Sequence, residues 1–318
     1  MKSKIKKGIK KIFRPVYSRL EGYITDKINN SYIPINNKIQ NHHKLLKSNY
    51  EFKFKKITPQ PILSSLEYHL CEHCNLNCLG CDNFSPLAGE SYEDINRFMK
   101  DMERFSLLTY GKLKVLKLLG GEPLLHPEIE NFIRVSRQYF PNTKIIIITN
   151  AIKLIDMPDS FFTTCFEYNI TISPTKYPIN IPWDTIKNKM KKFSLKLEFF
   201  DGENTVKTLY HMTLDLFGTQ DPVESFLNCY HANNCIFLRE GKLYPCSVAP
   251  NIHHFNKFFG VNLEVDDDDY IDIFNVNSYK EISSFISKPI PFCRYCNIKS
   301  RTFGHKWMRS ERQIKEWT

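Results

Sequence analysis

The pattern of hydrophobic and polar residues changes near residue 60 of this 318-residue chain. From there on, short apolar runs alternate with segments whose apolar residues recur three and four positions apart, a pattern typical of alternating strands and helices. Strand–helix repeats of this kind predict a parallel sheet with right-handed crossovers. The predicted strands are Leu66–Leu70, Val115–Leu119, Lys144–Thr149, Tyr168–Ser173, Lys196–Phe200 and, more weakly, Leu209–Leu214.

Two of the predicted helices have recognisable starts. Ser91, with Asp94 three positions later, resembles a helix N-cap. Pro127 is suited to the first turn of another helix because its missing N–H would be unpaired there anyway. Apolar residues follow both starts at helical spacing: Ile95, Phe98, Met99 and Met102 in the first helix, and Ile129, Phe132 and Ile133 in the second.

The first 58 residues have a different character and are predicted to form a basic N-terminal tail. Residues 1–50 contain twelve Lys or Arg against Glu21 and Asp26, so the net charge of +10 belongs wholly to them. Apolar residues there recur at helical spacing (Ile5, Ile9, Ile12, Phe13, Val16, Tyr17 and Leu20), with a break expected near Pro15. One interpretation is an amphipathic helix lying on an anionic membrane surface, and the alternative is a solvated, partly disordered tail.

Composition limits the class of protein. With 42% hydrophobic residues the chain can bury a full core, and its longest apolar runs are strand-sized. Ten cysteines without a secretory signal favour metal ligands in a reducing cytoplasm over disulfides. We therefore expect a cytoplasmic protein, soluble or peripheral at the inner membrane surface. Beyond residue 50 the charges balance, which argues against a nucleic-acid partner.

The main chemical signal is a cysteine motif directly after the first predicted strand. Cys74, Cys78 and Cys81 are spaced C-x3-C-x2-C. Three thiolates this close can ligate three irons of a [4Fe–4S] cluster and leave the fourth iron open. Cys71 lies upstream, but a zinc ribbon would separate two cysteine pairs by about 15–20 residues, and only three residues lie between Cys74 and Cys78. We predict that Cys71 is not a ligand.

This motif, together with Gly120-Gly121-Glu122-Pro123 after the second predicted strand, resembles the radical S-adenosylmethionine (SAM) superfamily. The resemblance implies a partial (β/α)6 barrel, here over residues 59–222, within an α/β fold. It implies that the cluster reduces bound SAM and that a 5′-deoxyadenosyl radical removes hydrogen from a substrate. It also implies that Gly120, Gly121 and Glu122 hold the methionyl ammonium of SAM, with Asn150 and Ser173 as further contacts.

A second metal site is predicted in residues 223–318. Cys229-x11-Gly241-x4-Cys246, followed by Cys293-x2-Cys296, resembles the Twitch or SPASM extension of radical SAM enzymes. Gly241 is a plausible hairpin turn. Cys235 is a fifth candidate, so the four ligands of an auxiliary [4Fe–4S] cluster are not uniquely assigned, and a four-cysteine zinc site remains the alternative.

Three functions fit these features. The first is a redox modification of a small polar substrate, such as a sugar linked to a nucleotide or lipid, because residues 83–87 resemble superfamily members linked to polysaccharide biosynthesis. The second is a peptide-modifying maturase, although residues 1–60 are too short and basic for the usual winged-helix domain. The third is a non-enzymatic iron–sulfur electron carrier, which leaves the Gly-Gly-Glu-Pro run unexplained. The radical SAM resemblance also implies a reductase partner such as flavodoxin or ferredoxin.

Overall fold

A computed structural model describes residues 18, 22, 25–27 and 33–318 of the chain. The chain divides into two compact units, with the boundary between Phe54 and Lys55. Helix α1 spans Ile33–Ile57. The basic amphipathic helix predicted around Ile5–Leu20 lies outside the described residues, apart from Ser18. In the described ranges no helix is long and apolar enough to cross a membrane.

A seven-stranded, mostly parallel sheet organises the unit that starts at Lys55. Its strands lie in the spatial order β4-β3-β2-β1-β6-β7-β8, and β1 to β4 and β6 pair in parallel. The four predicted strands of the first half are confirmed within two residues at their ends. The strands are β1 (Leu66–Cys71), β2 (Val115–Gly120), β3 (Lys144–Thr149), β4 (Ile170–Pro174), β6 (Phe237–Arg239), β7 (Lys242–Tyr244) and β8 (Ile271–Asp272).

The helices between these strands bury the faces that the sequence pattern predicted, with two differences. Asp94, not Ser91, caps helix α2 (Ile95–Thr109), because its carboxylate accepts a hydrogen bond from the backbone N–H of Arg97. Phe98 and Met102 are fully buried, whereas Met99 is 37% exposed. The remaining helices follow in chain order. They are α2 (Ile95–Thr109), α3 (Ile129–Tyr139), α4 (Asp159–Glu167), α5 (Trp183–Lys192), α6 (Pro222–Asn228), α7 (Val248–Phe259) and α8 (Tyr279–Ile286).

The fifth and sixth predicted strands are wrong as members of the main sheet. Residues 196–200 run beside β4 and form only one isolated bridge, between Leu197 and Ile172. The weaker candidate contributes β5 (Leu209–His211), which pairs antiparallel with β9 (Thr302–His305) in a separate two-stranded sheet. The described residues thus form a mixed α/β fold with four consecutive parallel strands, and the six-unit partial barrel is not reproduced strand by strand.

The hairpin predicted at Gly241 is confirmed. Strands β6 and β7 pair antiparallel around Glu240 and Gly241, which both have positive φ values of 51° and 74°. Two central residues of this kind make the tight turn that matches the twist of paired strands. Because β6 also pairs with β1, this hairpin extends the parallel sheet directly.

The last residues of the chain belong to a second hydrophobic core. Trp317 is fully buried and packs against Phe84, Phe255 and Phe259. Its indole N–H donates to the carbonyl of Cys81 over 2.8 Å. The C-terminus is therefore packed against the loop that carries the three closely spaced cysteines.

We expect Trp317→Ala to lower the free energy of unfolding by about 3–5 kcal/mol, because it removes a fully buried indole and leaves a cavity. Phe303→Ala is the matched control, since Phe303 is on the same C-terminal segment and is 72% exposed. Urea unfolding followed by circular dichroism measures both. Similar small losses for the two variants would contradict this role for Trp317.

Candidate functional site

The cysteine loop (residues 72–83) leaves the C-terminal end of β1 and bends back on itself. Asn77 and Gly80 have positive φ values of 55° and 62°, and Phe84, just after the loop, has one of 54°. For a bulky residue such as Phe84 this conformation is uncommon, and the surrounding structure must hold it. The backbone therefore turns sharply between Cys74 and Cys81.

The three thiols are close enough to affect one another electrostatically. Burial is the main reason that the pKa of Cys81 is raised, and negative charge on Asp82, Cys78 and Cys74 raises it further. Burial likewise raises the pKa of Cys74 to about 11, with a further contribution from Cys78. Neighbouring buried thiolates repel each other unless a cation neutralises them, so this arrangement suits metal ligands.

Several groups donate hydrogen bonds to the sulfur atoms. The backbone N–H of Leu76 lies 3.4 Å from Cys74 Sγ, and the amide Nδ2 of Asn150 lies 3.6 Å from the same atom. The indole N–H of Trp307 lies 3.2 Å from Cys78 Sγ. Hydrogen bonds of this kind favour thiolates and tune iron–sulfur clusters. The donor chemistry around the loop therefore fits a [4Fe–4S] cluster.

Cys71 lies apart from the triad. Its thiol donates to the backbone carbonyl of Glu122 over 2.9 Å, and burial raises its pKa to about 12. Its described partners are backbone carbonyls, and that Cys71 is not a metal ligand stays a prediction.

Gly120 and Gly121 bring the end of β2 against the start of the cysteine loop. A Cβ on Gly120 would lie 2.2 Å from the carbonyl oxygen of Cys71, and one on Gly121 would lie 2.0 Å from that of His73. Both distances are far inside van der Waals contact, so no other residue fits. The glycines are thus required for packing between neighbouring strand ends, which the motif alone did not indicate.

The carboxylate of Glu122 is fully buried and accepts three hydrogen bonds. The donors are Thr149 Oγ1 at 2.6 Å, the backbone N–H of Asn150 at 2.8 Å and the backbone N–H of Leu124 at 3.1 Å. Burial nevertheless raises its pKa to about 7. Glu122 therefore ties the end of β2 to the end of β3.

The other two residues predicted to contact SAM lie at the ends of β3 and β4. Asn150 donates to Asn75 Oδ1 over 2.7 Å, so it contacts the cysteine loop directly. The hydroxyl of Ser173 donates to the carbonyl of Glu198 over 2.7 Å. Asn150 thus lies beside the triad, whereas Ser173 supports the segment that follows α5.

Two aromatic residues that the sequence analysis missed lie against the triad. Tyr177, after β4, donates to Cys78, and its pKa is raised by burial and then by the three thiols. Trp307 contacts the same sulfur, and the two rings are 6.1 Å apart. Neither has a local sequence signal, because each reaches Cys78 only through the fold.

The C-terminal strap (residues 306–318) runs along the cysteine loop. Leu79 donates its N–H to the carbonyl of Met308 over 3.0 Å, and Ser310 donates to that of Asn77 over 2.9 Å. A Cβ on Gly80 would lie 3.0 Å from the carbonyl of Glu316. The strap is therefore hydrogen-bonded to the loop at Asn77 and Leu79 and packs closely against it at Gly80.

A hydrogen-bonded polar group follows the last cysteine of the triad. Tyr210 donates to Asp82 Oδ2 over 2.7 Å and lies 3.0 Å from His231 Nε2. His231 Nε2 is also 3.3 Å from Asp82 Oδ2. The fold buries His231 beside Asp82, the residue that follows Cys81. Its position two residues after Cys229 was the available signal.

Four of the five C-terminal cysteines come together in the second hydrophobic core, and we call them the cysteine quartet: Cys229, Cys246, Cys293 and Cys296. Burial raises the pKa of Cys246 to about 11, and the neighbouring Cys229 raises it further. Burial and then Cys246 and Cys229 raise the pKa of Cys293. The pKa of Cys296 is likewise raised by burial and then by negative charge on the other three cysteines.

Cys235 lies elsewhere, beside the buried ion pair of Glu67 and Lys117, whose charged atoms are 2.9 Å apart. Burial and then the charge of Glu67 raise its pKa. The geometry thus separates Cys235 from the quartet, a distinction that spacing alone could not make.

Within residues 33–318, no group of three or more histidine, cysteine or acidic side chains is already arranged to hold a metal ion. The fit of the two cysteine groups therefore rests on their donor chemistry.

Comparison with known proteins points to iron–sulfur chemistry. A family model described as a 4Fe–4S single cluster domain matches residues 67–165, which include the cysteine loop and the glycine pair. The GTP 3′,8-cyclase of Nautilia profundicola is 31% identical over 78 residues, which is 24% of this chain and 24% of that protein. The probable GTP 3′,8-cyclase of Pyrococcus abyssi is 25% identical over 162 residues, which is 48% of this chain and 47% of that protein. The chain thus spans less than half the length of these curated relatives.

Solved structures with a similar chain path include BtrN in complex with AdoMet and 2-DOIA, with 16% identity, a TM-score of 0.47 and coverage of 74% of this chain and 93% of that one. Another is native anSMEcpe with bound AdoMet, with 12% identity and a TM-score of 0.45. The match covers 73% of this chain and 82% of that one. The family model covers less than a third of the chain, so its description applies to the region that holds the cysteine loop and the glycine pair.

The raised pKa of Glu122 predicts a specific pH dependence of stability. The folded state binds a proton that the unfolded state releases between the ordinary pKa of 4.5 and the folded value of about 7. The contribution to stability is therefore fully present below pH 4.5 and is lost as the pH rises through 7, a fall of about 3 kcal/mol at about 1.4 kcal/mol per pKa unit. Urea unfolding across this range should show the fall in the parent and a shallower one in Glu122→Gln. Parallel profiles for the two proteins would contradict the assignment.

Proposed function

We propose that the protein is a radical SAM enzyme that binds a [4Fe–4S] cluster through Cys74, Cys78 and Cys81. The observation that carries the proposal is the convergence of three partly buried, mutually interacting thiols in the loop that meets the Gly120–Gly121 backbone. Both motifs leave the C-terminal edge of a parallel sheet, where open α/β folds bind ligands. When bound, such a cluster supplies one electron that cleaves SAM and yields a 5′-deoxyadenosyl radical, which removes hydrogen from the substrate.

The chain's own residues would prepare this site in three ways. Leu76, Asn150 and Trp307 donate hydrogen bonds that favour the thiolate form of the cysteines. Tyr177 and Trp307 cover Cys78 and limit its contact with water. The Gly120–Gly121 backbone, which meets the start of the cysteine loop, is the proposed place for the ammonium of SAM, with Asn150 and Ser173 as further candidate contacts.

The proposed substrate is small and polar, and the proposed reaction is a redox modification. Asp82, Tyr210 and His231 support a polar substrate, because they group hydrogen-bonding side chains near the cysteine triad. The cyclase relatives, which by their name act on a nucleotide, are consistent with a substrate of this class.

We further propose that the cysteine quartet holds an auxiliary [4Fe–4S] cluster, so that residues 59–222 form the SAM domain and residues 223–318 a Twitch-like domain. The support is the shared burial and mutual interaction of four thiols. A tetrahedral zinc ion is the alternative occupant. A small reductase would supply electrons, and the basic residues 1–50 would supply any peripheral membrane contact.

The SAM chemistry predicts a specific loss of activity. Anaerobic, dithionite-reduced protein should form 5′-deoxyadenosine from SAM, and Cys78→Ala should abolish this because the cluster loses a ligand. Cys71→Ser is the matched control, since a hydroxyl can still donate to the carbonyl of Glu122. Chromatography quantifies the product. No SAM cleavage by the parent under any reducing condition would rule out the proposed function.

Metal counting tests the auxiliary site. After anaerobic reconstitution we expect about eight irons per chain, from two four-iron clusters. Cys293→Ala should lose about half of this iron, whereas Cys235→Ala should retain it, because Cys235 lies with Glu67 and Lys117. About four irons together with one zinc in the parent, or equal iron loss in the two variants, would argue against an auxiliary cluster in the quartet.

A further inference from the structure

Arg301 lies against the cysteine quartet. Its Nη1 donates to Cys229 Sγ over 3.7 Å. Negative charge on Cys229 and Cys296 stabilises the charged guanidinium of Arg301. The guanidinium in turn stabilises the thiolate form of Cys246. A fixed positive charge is therefore close to at least three of the four thiols.

Two further N–H groups of this guanidinium have no partner. Nε and Nη2 are both buried, and neither has a hydrogen-bond acceptor among the described residues. Leaving buried donors of a charged group unpaired is costly, and such groups usually indicate an acceptor that the polypeptide itself does not supply.

Carboxylates do not account for the position of Arg301 either. Within the described part of the chain, every ion pair of an arginine with a carboxylate involves another arginine: Arg97, Arg134, Arg239 or Arg294. Arg301 instead faces sulfur, together with Tyr210 and His231. A buried guanidinium without a carboxylate needs another source of negative charge.

We propose that Arg301 is the positioning and charge-balancing residue of the metal group held by the cysteine quartet. Four thiolates around a cluster carry net negative charge, and the unpaired Nε and Nη2 would be available as further donors to it. This inference rests on the second site of the proposed function and goes beyond it, because it assigns a non-cysteine residue to that site. Arg301 would favour the reduced, more negative state and so raise the reduction potential of the cluster.

The test uses the full-length chain with Cys74, Cys78 and Cys81 replaced by alanine, so that iron and sulfide added anaerobically can form a cluster only at the quartet. Arg301→Gln removes the charge, and Arg301→Lys keeps it without the fork of donors. Lys299→Gln is the control, because Lys299 is exposed on the preceding turn and pairs with Glu224. Iron per chain and the midpoint potential, from a redox titration followed by electron paramagnetic resonance, are measured for each.

We expect Arg301→Gln to shift the midpoint potential downward and to retain less iron. Arg301→Lys should lie close to the parent in potential, and Lys299→Gln should match the parent in both potential and iron content.

An unchanged potential and iron content in Arg301→Gln would overturn the inference while leaving the auxiliary cluster intact. If Arg301→Gln does not fold, the Arg301→Lys variant decides. A large downward shift of its midpoint potential, or complete loss of its iron, would also overturn the inference, because this variant keeps the positive charge. Absence of a cluster in the alanine background would overturn the second site, and SAM cleavage by the unmodified chain would still test the SAM site separately.

Discussion

The close contact between the Gly120–Gly121 backbone and the end of β1 is the constraint on which the candidate site depends. Side chains at either position would collide with the carbonyl of Cys71 or His73 and push the cysteine loop away from β2. With glycine there, the first two strand ends meet without a gap. The thiol of Cys71 then reaches the carbonyl of Glu122, which fixes the register between the loop and the glycine turn.

The same contact is extended across the sheet by buried polar groups. The carboxylate of Glu122 joins β2 to Thr149 and Asn150 at the end of β3, and Asn150 returns to Asn75 in the cysteine loop. Each member satisfies the hydrogen bonds of the next, so the network is stable in a buried environment only when complete. Three strand ends are therefore held in one arrangement before any cofactor binds.

The sequence was sufficient for the parts of the structure that follow from local patterns. The strands that end at Gly120 and Thr149 were predicted because buried parallel strands have continuous apolar runs. The segment at 196–200 has a similar composition but lies at the side of β4 and forms a single bridge, since tertiary pairing and not composition decides whether a strand forms. The separation of Cys235 from the quartet, and the approach of Trp307 to Cys78, depend on long-range packing that no spacing rule contains.

The small sheet of β5 and β9 links the two cysteine groups physically. Arg301, immediately before β9, contacts Cys229 of the quartet, and Trp307, just after β9, contacts Cys78 of the triad. Tyr210 on β5 joins Asp82, beside the triad, to His231, beside the quartet. Residues on or next to this small sheet therefore contact both cysteine groups. This sheet was absent from the predicted barrel because its strands are more than 90 residues apart in sequence, between Leu209 and Thr302. Its presence gives the chain a direct structural route between the two proposed metal sites.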